Sequence, residues 1–279
     1  LEILGQKNII VVQNKIDLVP EDRAIRNYKE IKEFLKGTSF ENAPIIPISA
    51  QYDVNVDKII EAIEEYMPTP ERDPKSDPIF LIARSFDINK PGTKIKDIKG
   101  GVLGGALKSG RLKVGDEIEI RPGRVTEEAH KIKAKSIKTK IVGLVTGGVH
   151  VDEVGPGGTV GVMTTLDPSI VKSDKLTGNI AGHIDKLPPV WYEIKFETHL
   201  LERVVGAKED VAVDPIKLGE ALMLNVNSEA TVGVVIKLSK DLVDCKLKLP
   251  ICANQGSRVT ISRRVGTRFR LIGYGIMKN

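Results

Sequence analysis

The residues with the clearest chemical sense are Asn14, Lys15, Ile16 and Asp17, which directly follow the apolar run Asn8-Ile9-Ile10-Val11-Val12. A carboxylate only accepts hydrogen bonds, and guanine presents two adjacent donors, the ring N1–H and the 2-amino group. Adenine offers no such pair, so an Asp here can tell the two bases apart. The Asn amide can reach N7 and O6, and the Lys stem can lie along the base plane. A second element, Ser49-Ala50-Gln51, follows another apolar run, Ile45-Ile46-Pro47-Ile48, after 31 intervening residues. Small side chains there let backbone N–H groups approach the base O6.

Both elements need the carboxyl ends of parallel strands, where ligands bind in open α/β sheets. Asn8–Val12 is a short continuous apolar run, as expected of a strand buried on both faces. A helical pattern covers about Asp22 to Lys36, with Ile25, Tyr28, Ile31, Phe34 and Leu35 on one stripe. A second helix covers about Val56 to Tyr66, with Ile59, Ile60 and Ile63 on its apolar face. Strand, helix, strand, helix implies right-handed crossovers in a parallel sheet.

Met67-Pro68-Thr69-Pro70-Glu71-Arg72-Asp73-Pro74 cannot continue a helix and reads as a stiff linker. Beyond it come short apolar or alternating runs separated by glycine turns. They include Pro78–Ala83, Gly101–Gly105, Asp116–Ile120, Thr159–Val162 and Val232–Ile236. This texture predicts closed β-barrels, and about 200 residues suffice for two. Leu187-Pro188-Pro189 is the natural seam. The expected domains are 1–72 (α/β), 73–185 (first barrel) and 186–279 (second barrel).

Composition excludes several classes. The 279 residues are 41% hydrophobic and 28% charged, which is globular composition. No apolar run approaches a membrane span. The start, Leu1-Glu2-Ile3-Leu4-Gly5, carries no secretion signal. Two cysteines, Cys245 and Cys252, read as reduced thiols in strands rather than a disulfide framework or four-Cys zinc site. His130, His150, His183 and His199 are scattered, without metal or triad spacing. Aromatics are 4%, with one Trp191, which argues against base stacking on aromatic platforms.

Charge is divided. Residues 1–72 carry net −4 and residues 73–279 net +9. An acidic head on a basic body suggests that the body meets something anionic. Lys131, Lys133, Lys135, Lys138 and Lys140 stand in an acid-free stretch from 129 to 151. A second such stretch, 254–279, holds Arg258, Arg263, Arg264, Arg268, Arg270 and Lys278. Either could contact RNA phosphates or be a solvated barrel face. The plain reading is preferred for the Lys run. RNA contact is preferred for Arg263, Arg264, Arg268 and Arg270, because guanidinium suits phosphate bidentately.

The order Asn-Lys-x-Asp, Ser-Ala, Pro-rich linker and two β-barrels resembles translational GTPases of the elongation factor Tu type. Further stretches are similar to the gamma subunits of archaeal and eukaryotic translation initiation factor 2, the archaeal form most of all. They are Ala83–Gly92 (ARSFDINKPG), Lys99–Gly105 (KGGVLGG), Gly178-Asn179-Ile180, Leu187-Pro188-Pro189, Leu200–Gly206 (LLERVVG) and Ile261–Val265 (ISRRV). The resemblance spans essentially the whole chain. It implies a multi-domain fold: part of an α/β P-loop GTPase domain, then the family's β-barrel domains II and III. It also implies GTP/GDP with Mg2+ as cofactors, methionyl initiator tRNA as cargo and GTP hydrolysis as the release switch. The implied partners are the alpha subunit on the first barrel, the beta subunit on the GTPase domain and the small ribosomal subunit. The implied setting is cytoplasmic, without a membrane.

The chain departs from that pattern in what it lacks. There is no GxxxxGK[ST] phosphate loop, no DxxG switch before Asn14 and no set of zinc-binding cysteines. Asp97-Ile98-Lys99-Gly100 and Asp152-Glu153-Val154-Gly155 match DxxG but lie after the linker and read as turns. Half a GTPase domain would leave the strand Ile9–Val12 with open faces and a bare ladder edge. The expectation is therefore a portion of a longer protein, with half a guanine site and no triphosphate chemistry of its own. A non-catalytic barrel scaffold for RNA and partner subunits is the alternative. Within the enzyme class the alternative is a tRNA-carrying elongation factor, such as one of the selenocysteine-specific kind. Gly100, Gly101, Gly104 and Gly105 read either as close backbone packing or as a wall facing the aminoacylated end of tRNA. Gly115-Asp116 reads as a hairpin turn.

Overall fold

A computed structural model describes residues 1, 3, 5–128, 131–201 and 212–278. His130 and the Glu202–Gly206 part of the LLERVVG stretch lie outside the described residues. The chain forms two compact units, Leu1–Glu71 and Arg72–Asn279.

In the first unit β1 (Val11–Gln13) runs parallel to β2 (Ile45–Pro47), with Val11 opposite Ile45. They are connected through α1 (Glu21–Leu35), and α2 (Val56–Tyr66) follows β2. Glu21 and Asp22 occupy the first turn of α1, where the helix dipole favours acids. Gly37 ends the helix region with φ +74°, a value that suits glycine. The predicted strand is not buried on both faces, since Val12 is 41% exposed. Among the described residues two strands pair here, too few to cover both faces of the strand. The helix stripes are open as well, with Phe34 82% and Ile60 61% exposed.

The second unit begins with β3 (Ile79–Phe86), β4 (Val102–Ser109), β5 (Leu112–Lys113) and β6 (Glu117–Glu128). It continues with β7 (Lys131–Thr146), β8 (Val149–Val151), β9 (Glu153–Val154), β10 (Val160–Thr164), the short helix α3 (Pro168–Val171) and β11 (Ile180–His183). The sheet order is β10-β4-β3-β11-β6-β7, and β7 pairs back to β10, which closes a six-stranded barrel. Phe80, Ile82, Leu103, Leu107, Ile118 and Ile120 are among its core residues. Glu153 and Val154 pair with β5, so the second DxxG-like string is partly a strand and not simply a turn.

The second barrel follows: β12 (Val190–Leu200), β13 (Ala221–Val226), β14 (Glu229–Ser239), β15 (Leu242–Cys252), β16 (Arg258–Val265) and β17 (Arg268–Lys278). Its closed order is β12-β15-β14-β13-β16-β17 around Phe196, Leu222, Leu224, Val259 and Ile261. Several strands are longer than a ten-residue spacing suggests, because β6 and β7 extend past the barrel wall as a two-stranded ribbon. Arg121 donates to Leu187 O (3.0 Å), and the Cys252 thiol donates to Pro188 O (3.2 Å), which pins the seam between the barrels. Burial pushes both thiols up to about 12, so they stay protonated and unreactive.

Candidate functional site

The Asn14–Asp17 segment leaves β1 with Lys15 in the left-handed region (φ 66°), followed by a tight 3-10 turn at Ile16–Leu18. The Ile16 N–H donates to Ile48 O (3.3 Å), and the Ile48 N–H donates to Gln13 O (2.9 Å). The two strand ends are therefore laced together by their own backbones. Two side chains complete the link. Asn14 Oδ1 accepts from Lys15 N (2.7 Å) and Ala50 N (3.2 Å). The Ser49 hydroxyl donates to Asp17 Oδ1 (2.5 Å). Ser49 is 1% exposed, while Asn14, Lys15, Asp17, Ala50 and Gln51 lie at the surface.

The segment presents an amide and a carboxylate at the surface, the two kinds of group that a guanine edge would need. Asn14 uses its oxygen internally, which orients the amide so that Nδ2 is the outward donor, suited to N7. Asp17 keeps acceptor capacity after one hydroxyl bond, and a carboxylate can take the N1–H and 2-amino donors together. The Ala50 N–H is engaged by Asn14, so it is not open towards a base O6 as the sequence suggests. Gln51 follows Ala50 at the surface. Among the described residues no group of three or more His, Cys, Asp or Glu side chains is placed to hold a metal ion.

Of the four arginines expected to contact RNA, Arg263 departs from the expected phosphate contact. Its Nε and Nη2 bond Glu220 (2.5 and 3.1 Å), and Nη1 and Nη2 donate to Asp214 O (2.7 Å) and Pro215 O (3.1 Å). With its side chain 17% exposed, this guanidinium is a structural clamp. Burial raises the Glu220 carboxyl, but the Arg263 bonds and the Lys217 N–H outweigh it, and the carboxyl lies below its ordinary value. Arg264 is exposed and donates to Gly266 O (3.3 Å). Arg268 and Arg270 share a face of β17, opposite Val265 and Arg263.

The lysine run divides in two. Lys138 and Lys140 stand opposite Glu119 and Glu117, so the acids missing from the linear stretch come from the neighbouring strand. Lys131, Lys133 and Lys135 lie on the ribbon instead. Of the glycines, Gly105 has the plain reason: a Cβ there would sit 1.9 Å from Leu81 O.

Other motif residues prove to be fasteners. Asp174 accepts from Arg84 Nε (2.9 Å) and Ser85 N (2.9 Å), and the Arg84 bond holds its carboxyl below the usual range. Asn89 donates to Lys99 O (2.7 Å) and accepts from Lys99 N (2.8 Å), which closes the loop before β4. Asn179 Oδ1 accepts from Gly123 N (2.7 Å). Sequence reading missed Glu229. It lines a cavity of about 620 Å³ between the barrels, with Arg124, Lys175, Thr177 and Leu249 also in the wall. A Cβ on Gly178 would collide with its carboxylate. Burial pushes the Glu229 carboxyl up to about 7. Only its partners in the fold reveal this, since no motif surrounds it.

A partial α/β unit followed by two closed six-stranded barrels is the architecture of elongation-factor-type translation proteins. The chain superposes on the crystal structure of a bacterial selenocysteine-specific elongation factor with TM-score 0.75 at 19% identity, covering 99% of this chain and 40% of that one. It superposes on elongation factor SelB of Methanococcus maripaludis, in complex with the GTP analogue GppNHp, with TM-score 0.73 at 20% identity (98% and 59% covered). These likenesses concern the fold. Sequence is more specific. The family "Initiation factor eIF2 gamma, C terminal" matches residues 192–277. Translation initiation factor 2 subunit gamma of Pyrococcus horikoshii is 55% identical over 278 residues, all of this chain and 68% of the relative. That of Methanocaldococcus jannaschii is 56% identical over the same shares. The chain belongs to the family of translation initiation factor 2 gamma subunits.

Proposed function

We propose that the complete protein binds GTP and GDP through a guanine site built on Asn14, Lys15, Ile16, Asp17, Ser49, Ala50 and Gln51. In this reading it carries methionyl initiator tRNA to the small ribosomal subunit in the GTP state, and hydrolysis releases it. Residues 1–72 then act as the C-terminal part of the GTPase domain, and 73–185 and 186–279 as domains II and III. The observation that carries the reading is the lacing of Asn14 and Asp17 to Ala50 and Ser49, which holds the two segments together and leaves the Asn14 Nδ2 donor and Asp17 acceptor capacity unused by these bonds. The 55% identity to initiation factor gamma subunits supports it over an elongation factor, whose solved examples stand at 19–20%. The alpha subunit on the first barrel, the beta subunit on the α/β unit and a cytoplasmic setting belong to the same proposal.

Phosphates and Mg2+ need groups outside these 279 residues, which contain no GxxxxGK[ST] loop. Such groups supply nearly all of the charge stabilisation in phosphoryl transfer. A purified 1–279 fragment should therefore show no GTP turnover above buffer. The test of tRNA carriage is filter binding of charged and uncharged initiator tRNA to the complete factor with GTP. Preference for the charged form is expected. Equal binding would favour the second reading, a non-catalytic barrel scaffold for RNA and subunits.

A further inference from the structure

Residues 124–128 and 131–135 pair only with each other. The ladder of β6 with β11 ends at Arg121, and that of β7 with β10 covers 141–146. They form a two-stranded ribbon beyond the barrel wall, in the register Arg124–Lys135, Thr126–Lys133 and Glu128–Lys131. Directly opposed residues share a face. One face therefore carries Arg124, Lys131, Lys133 and Lys135 with Thr126 and Glu128. The other carries Val125, Ile132 and Ala134, which are partly buried, with the exposed Glu127 opposite Ile132, while the four basic residues are exposed. The outer edge is tied down, since the Ala134 N–H donates to the Tyr192 hydroxyl (2.9 Å). Glu128 pairs with Lys133 at 2.7 Å, but both are about 60% exposed, and such surface pairs are weak and yield to stronger anions.

We propose that this ribbon face is a docking surface for the phosphate backbone of double-helical RNA. Alternate residues on a strand are about 6.8 Å apart. That spacing, repeated along Lys131, Lys133 and Lys135, is comparable with the step between successive phosphates. The face has no aromatic side chain, so it cannot stack unpaired bases. It has no apolar residue to anchor a protein partner or enter a lipid surface. What remains is charge at regular intervals on a stiff scaffold, which suits a regular helix read by shape and phosphate contacts. The choice of RNA rests on the proposed function.

The test uses the complete protein and a blunt 20-base-pair RNA duplex, with no aminoacyl end and no nucleotide, so it does not depend on initiator tRNA carriage. The variant Arg124→Gln/Lys131→Gln/Lys133→Gln/Lys135→Gln is compared with wild type across a salt series. Each lost contact should lower the slope of log K against log salt by about 0.7–0.9, roughly 3 in all, and binding near 0.1 M salt should weaken more than tenfold. Lys131→Gln and Lys135→Gln singly should each lower it by about 0.7–0.9, which guards against a misfolded quadruple variant. A control of equal charge, Lys90→Gln/Lys94→Gln/Lys96→Gln/Lys99→Gln, should leave the slope near wild type. An unchanged slope in the ribbon variants, or an equal fall in the control, would overturn the proposal. So would displacement of the duplex by a poly-glutamate peptide at equal charge concentration, which would show a general polyanion surface.

Discussion

In the α/β unit only Leu35, Ile48 and Ala62 are buried apolar residues among those described, whereas sixteen core residues line the first barrel and fifteen the second. The difference follows from how each architecture ends. A barrel closes its own ladder and encloses its core, so the segment that contains it is sufficient. A parallel sheet must be covered on both faces and extended at its edges, and two strands with two helices do not achieve that. Charge divides at the same place, net −4 before residue 73 and net +9 after it. The acidic unit holds a small polar site by backbone lacing. The basic unit is a self-contained scaffold with cations on its outer face.

The largest consequence concerns packing. Phe196 is fully buried in the second barrel and Phe34 is 82% exposed. Phe196→Ala should cost about 3–5 kcal/mol and Phe34→Ala within about 0.5 kcal/mol, read from denaturant unfolding of the same chain. Similar costs would mean that the α/β unit has a core comparable with the barrels. A smaller effect separates two arginines of one hairpin. Arg263→Ala should destabilise the second barrel by about 2 kcal/mol through lost charged hydrogen bonds, while Arg268→Ala should leave its stability unchanged. In the acidic unit, Ser49→Ala removes the hydroxyl that holds Asp17. In the complete protein it should weaken GDP by about 1 kcal/mol, seen by calorimetry as a roughly fivefold rise in Kd.

The pH dependence sharpens the contrast further. Glu229 has its carboxyl raised from 4.5 to about 7 by burial. Between those values the folded chain holds a proton that the unfolded chain has lost, so stability falls as pH rises through this window. Below it both states are protonated and the contribution vanishes. Glu229→Gln should therefore raise the melting temperature of the barrels at pH 8 by roughly 7 °C or more and leave it unchanged at pH 4. An equal rise at both values would show that the carboxyl does not titrate this way. The smallest effect is on RNA. Arg268→Ala should lower the salt slope for tRNA by about 0.7–0.9 with little change in tRNA preference.

Local sequence carried the strands, the helices and the barrel texture, because Asn8–Val12 or Val232–Ile236 states its own period and turns. It also carried the pairing of two strand ends, since Asn14 and Asp17 are joined by hydrogen bonds to Ala50 and Ser49. It did not carry what neighbours across a ladder contribute. The run 129–151 looks wholly basic in line, yet β6 sets Glu117 and Glu119 against Lys140 and Lys138. Arg263 looks like Arg268 until Glu220, 43 residues away, occupies it. Glu229 acquires its environment from Gly178 and the cavity wall of the other barrel. Each of these depends on long-range register, which one sequence does not print.

The proposed recognition of guanine by Asp17 in the acidic unit has a direct test. The direct measurement is calorimetric binding of GDP and xanthosine diphosphate to the complete protein, wild type and Asp17→Asn. Xanthine presents a carbonyl where guanine has its amino group, so the variant should lose about 3 kcal/mol for GDP, more than a hundredfold, and gain affinity for xanthosine diphosphate. A variant that binds GDP as tightly as wild type would contradict the assignment of the base site.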